Sequence, residues 1–162
     1  MNRDFVFTSE SVTEGHPDKL CDQISDAIVG RFLRQDPLTR VVAECALANG
    51  IVFVAVKLAS QGNVDIPFTV REVISDAGYE HGSFNARACT VMTTLSEFDV
   101  REPAPVDEED LDGAAIEQVA AREPMTVFGF ACTHTPALMP MPIWLSHGLS
   151  IFLAPLGGRC NL

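Results

Sequence analysis

The sequence predicts an α+β fold, a split β-α-β-β-α-β unit with helices on one face of a mixed sheet, plus part of a second similar unit. Three observations carry that expectation. An apolar helical stripe, Leu20, Ile24, Ala27 and Ile28, follows a short apolar run. Two β-rich runs flank Asn49-Gly50, a pair suited to the positive φ angles of a type I′ turn. A second helical pattern from about Ile66 to Ala77 leads to another β-rich run, Ala88 to Leu95.

The elements follow in order. Phe5 to Thr8 reads as the first strand. Pro17 suits the first helical position, because it has no N–H to leave without an acceptor, and Asp36-Pro37 ends that helix. Asp18, Asp22 and Asp26 fall on its polar face. The hairpin "VVAECALANGIVFVAVKLAS" pairs Ala48 with Ile51 and Glu44 with Ala55 if the turn holds two residues. Its second strand alternates Val52, Val54, Val56 and Leu58 with Phe53 and Ala55, so it is apolar on both faces. One face should lie against helices and the other against a partner chain. Asp65 caps the second helix, Pro67 lies in its first turn, and Gly78 stops it.

From Glu97 to Glu123 the chain turns acidic and proline-bearing, which reads as a solvated linker or a mobile flap, with a short helix near Ala114 to Ala121. Beyond it "MTVFGFAC" reads as a strand, "PALMPMP" as an extended turn, and Ile143 to Phe152 as a helix. The expected organisation is therefore an α+β unit over residues 1–96, a linker over 97–124, and an incomplete second unit with a divergent tail over 125–162.

Composition excludes several partners. The 162 residues are 47% hydrophobic and carry a net charge of −11, unsuited to nucleic acid or an anionic membrane. An anionic substrate would need metal ions or locally placed basic groups. The five cysteines are scattered without a CxxC, and no secretory signal is read, which points to the cytoplasm. His81, His134 and His147 lack metal-ligand spacing and read as structural.

The densest chemistry sits in "FTSESVTEGHPDK", Phe7 to Lys19. If Pro17 opens the helix, the first-turn amides and the helix dipole favour an anion such as phosphate. Lys19 adds positive charge, His16 can hydrogen-bond or protonate a leaving oxygen, and Asp18 and Glu10 offer the hard oxygens that Mg²⁺ takes. The simpler reading is that these acids complement the dipole and His16 is an ordinary loop histidine.

This stretch, continued as "LCDQISDAI", closely resembles the N-terminal signature of the S-adenosylmethionine synthetase family. The likeness extends through "ECALANGIVFV" and "VREVISDAGY" and returns in "VFGFACTHTPALMPMPIWLSHGL". The resemblance implies a transferase that makes S-adenosylmethionine from ATP and L-methionine, releasing pyrophosphate and phosphate. It implies that His16 contacts ATP and stabilises the departing triphosphate; the residue pattern itself adds Lys19 as the second catalytic candidate. Glu10 and Asp18 would serve Mg²⁺, and Glu44 would bind K⁺. It also implies an oligomer, either of this chain or with a full-length synthetase.

The sequence departs from the family at positions that hold methionine. Lys57 replaces a glutamate, Phe98 a glutamine, and Arg122 or Glu123 an aspartate in a glycine-rich segment. Lys57 lies one diagonal step from Glu44, roughly 7–8 Å at the backbone, so its ammonium is an alternative occupant of the K⁺ position. The family also continues well past His147 with basic residues that grip the triphosphate. The expectation is a chain without turnover on its own: an incomplete synthetase, a non-catalytic partner or regulatory subunit of a full-length one, or a truncated gene product.

Overall fold

The computed structural model describes residues 6–98, 112–117 and 126–154. These fall into two compact units, one holding residues 6–16 and 126–154, the other residues 17–98 and 112–117.

The larger unit is α+β. Helix α1 (Pro17–Gln35) opens on Pro17 and buries Leu20, Ile24, Ile28 and Phe32, one stripe at helical spacing. Strands β1 (Arg40–Ala48) and β2 (Ile51–Ala59) form an antiparallel hairpin. Asn49 and Gly50 take φ of 47° and 78°, and the register pairs Ala48 with Ile51 and Glu44 with Ala55. Helix α2 (Ile66–Asp76) is capped by Asp65, whose carboxylate accepts from the Phe68 N–H at 2.9 Å. It ends at Gly78, φ 91°, where Gly78 N–H donates to Ser75 O and Tyr79 N–H to Ile74 O, a Schellman closure. Strand β3 (Thr90–Glu97) then pairs parallel to β2, giving a three-stranded mixed sheet of order β1-β2-β3.

Both helices cover the same sheet face. Val52, Val54 and Val56 of β2 meet the stripe of α1 and Ile66, Val70 and Ile74 of α2. Burying such a side chain fully stabilises by about 1.5–3 kcal/mol. Polar clamps fix the connections. Arg31 of α1 donates to Thr69 and Glu72 of α2 and lies over the Phe68 ring. Gln35 exchanges two hydrogen bonds with the Asn63 backbone, and Asp36 accepts from the Gln61 N–H.

Strand β3 begins two residues later than the β-rich run suggests. The guanidinium of Arg71 donates to the carbonyls of Ala86 and Cys89, holding that stretch in a turn. A short helix α3 (Gly113–Ile116) lies within the acidic segment.

In the smaller unit, Thr135 is buried and its hydroxyl bridges the N–H and C=O of Met139, making a tight turn with Leu138 at φ 57°. Helix α4 (Met141–Leu153) follows and buries none of its residues. Trp144, Leu149 and Phe152 are all exposed.

Two expected strands are absent among the described residues. Residues 6–8 of the Phe5–Thr8 segment have no strand structure, and Val6 is 91% exposed. Residues 126–132 of "MTVFGFAC" are likewise irregular, with Phe128 92% exposed. Alternating apolar residues become a strand only where a neighbouring backbone completes the ladder, and neither segment has one among the described residues. The observed order there is α1-β1-β2-α2-β3-α3-α4.

Candidate functional site

The chain enters α1 through a turn in which the His16 N–H donates to the Thr13 carbonyl at 3.0 Å. His16 is half-buried at the bend, and Pro17 is the first helical residue. Asp18 and Lys19 are exposed in the first turn of α1, whose amides have no carbonyl within the helix to donate to. Glu10 is exposed upstream of the turn. Glu10 and His16 belong to the smaller unit, and Asp18 and Lys19 open the larger one.

Close to that helix start, the larger unit has a cavity of about 390 Å³ lined by Pro17, Leu47, Asn49, Gly50, Ser83 and Phe84, with Ala48. The α1 N-terminus and the hairpin tip thus enclose the same space.

Among the described residues, no three or more histidine, cysteine, aspartate or glutamate side chains gather into a metal cage. Glu10 and Asp18, whose carboxylates are hard oxygen donors of the kind Mg²⁺ takes, are each exposed.

Glu44 projects from the sheet face that the helices leave uncovered, as do Val42, Phe53 and Lys57. Lys57 pairs with Val42, next to the Glu44–Ala55 pair, as the two-residue turn requires. Its ammonium lies 4.5 Å from the centroid of the Phe98 ring. The Arg40 guanidinium lies 4.1 Å from the same centroid. Two of the positions where the sequence departs from the family pattern therefore touch each other. Arg40 is the member that sequence reasoning missed, although its parity with Val42 and Glu44 places it on that face. Arg122 and Glu123 lie outside the described residues.

Behind the α1 first turn, Cys21 of α1 and Cys45 of β1 lie close enough to influence each other's ionisation. Burial pushes both thiols up, Cys45 to about 12, with the neighbouring Cys21 adding to the effect. Raised in this way, both thiols are held in the neutral form at ordinary pH.

Comparison with known proteins decides the family. Residues 4–99 match the S-adenosylmethionine synthetase N-terminal domain, and residues 118–156 match the central domain. The chain belongs to the S-adenosylmethionine synthetase family. It is 43% identical over 154 residues to the S-adenosylmethionine synthase of Parasynechococcus marenigrum (strain WH8102), an alignment covering 93% of this chain and 37% of that relative. It is 44% identical to the S-adenosylmethionine synthase of Prochlorococcus marinus (strain NATL2A), again over 93% of this chain and 38% of the relative. The chain thus spans well under half the length of these synthases. Among the described residues, no helix is long and apolar enough to cross a membrane.

Proposed function

We propose that this chain provides the nucleotide-facing half of an S-adenosylmethionine synthetase site. In the reaction, the methionine sulfur lone pair forms a bond to the ribose 5′ carbon of ATP. The carbon–oxygen bond breaks, and the triphosphate leaves with that electron pair before water cleaves it to pyrophosphate and phosphate. The observation that carries this reading is the unbroken run from Phe7 to Lys19 set at the turn into α1.

In this reading the His16 imidazole donates to the oxygen that departs with the triphosphate. The first-turn amides and Lys19 offset the charge that grows there. Mg²⁺, held by Glu10 and Asp18, would supply further neutralisation of the triphosphate. Glu44 is the candidate K⁺ ligand, with the Lys57 ammonium as its alternative. The methionine end is altered, since Lys57 disfavours an α-ammonium and Phe98 offers no amide.

The second reading is a non-catalytic partner of a full-length synthetase in the cytoplasm. The uncovered sheet face favours some partner chain under either reading, be it a second copy or a longer relative.

The test is formation of S-adenosylmethionine from ATP and L-methionine, by the chain alone and mixed with a full-length synthetase. Product that depends on this chain and disappears with His16→Ala supports the synthetase reading. Altered output of the full-length enzyme that is indifferent to His16→Ala supports the partner reading. No effect in either arm removes both.

A further inference from the structure

Helix α4 buries none of its residues, yet two adjacent residues on it reach the N-terminal segment by hydrogen bonds. The Ser146 hydroxyl lies 3.0 Å from the Ser9 carbonyl oxygen and 3.0 Å from that of Pro142, and shares its one proton between them. His147 Nδ1 and the Ser11 hydroxyl share a hydrogen bond of 2.9 Å. All these residues belong to the smaller unit.

The residues on both sides of Glu10 are thus tied down, while Glu10 itself is exposed. A segment without helix or strand structure has no ladder to fix its backbone, so these two bonds take over that role. With its neighbours anchored, Glu10 keeps only its side-chain rotamers to order when its carboxylate takes a ligand.

We propose that Ser146 and His147 are positioning residues that set the Glu10 carboxylate for a divalent cation. The proposal rests on the reading of Glu10 as a metal carboxylate. Groups hydrogen-bonded directly to a metal ligand commonly matter about 10–100-fold for metal affinity, and Ser146 and His147 act one residue further out, through Ser9 and Ser11.

The experiment uses the full chain and two readouts. The first is amide hydrogen exchange at residues 9–11. The second is the gain in affinity for β,γ-imido-ATP when Mn²⁺ is added, measured by calorimetry. His147→Ala and Ser11→Ala should each speed exchange at residues 9–11 and cut the Mn²⁺-dependent gain by about tenfold. His147→Asn, whose amide reaches the place of Nδ1, should restore both. Glu10→Gln should abolish the gain and leave exchange unchanged.

Unchanged exchange in His147→Ala and Ser11→Ala overturns the clamp. Faster exchange with an undiminished Mn²⁺ gain, in a chain where Glu10→Gln does lose it, overturns the positioning role. A gain indifferent to Glu10→Gln, or absent from the unaltered chain, overturns the metal reading of Glu10 and the positioning proposal with it; exchange then still reports whether the clamp exists.

Discussion

Cys45 shows how far one side chain reflects its surroundings. Its thiol is pushed from 9.0 to about 12, first by burial and then by Cys21. A group that loses its proton less readily when folded than when unfolded favours the fold fully below its unfolded value. Above pH 9 the unfolded chain gives up that proton while the folded chain keeps it, so this contribution drains away between pH 9 and about 12. The expected outcome is a steeper loss of denaturant stability in this window for the unaltered chain than for Cys45→Ala. Equal slopes would mean that the thiol is as accessible in the fold as out of it. The residue scale also marks a limit of sequence reading. Neither the Cys21–Cys45 contact nor the meeting of Arg40, Lys57 and Phe98 has a local signature, because each needs the register and the packing together.

Elements were legible where the chain supplies its own start, stop and buried stripe. α1 carries Pro17 and an i, i+4 core row, α2 has Asp65 and Gly78, and the hairpin has Asn49-Gly50. The segments around Phe7 and Phe128 have only short apolar runs, and such a run does not provide the neighbouring strand. The site divides likewise: the motif put His16, Asp18 and Lys19 at the start of α1, but nothing in the sequence announces that Ser9 is tied to Ser146, 137 positions away. Glycine gives the element scale its test. A Cβ at Gly50 would meet nothing within 4 Å, so only its φ of +78° penalises Gly50→Ala. That change should cost about 1–2 kcal/mol. Gly30 lies inside α1, also with nothing within 4 Å of a Cβ and with no positive φ. Gly30→Ala should instead stabilise by about 0.5–1 kcal/mol. Chemical denaturation of both variants checks the opposite signs, and a shared sign would contradict the turn geometry.

At the scale of the whole molecule, charge and apolar surface pull in opposite directions. The larger unit leaves Val42, Phe53 and Met92 about half exposed on one sheet face, on neighbouring strands. Water penalises such a face, and a chain laid against it removes the penalty. A net charge of −11 on each copy opposes self-association at long range. Salt screens that repulsion, with a Debye length of about 10 Å at 0.1 M and about 3 Å at 1 M, and leaves apolar burial in place. Association through this face should therefore tighten as salt rises, the reverse of an interface built on ion pairs. Phe53→Glu adds both a charge and a desolvation cost at the centre of the patch, and should shift the chain to monomer at every salt concentration while preserving its helix and strand content. Sedimentation equilibrium across a salt series reads both effects. Association that weakens with salt, or that survives Phe53→Glu unchanged, would place the contact on another surface.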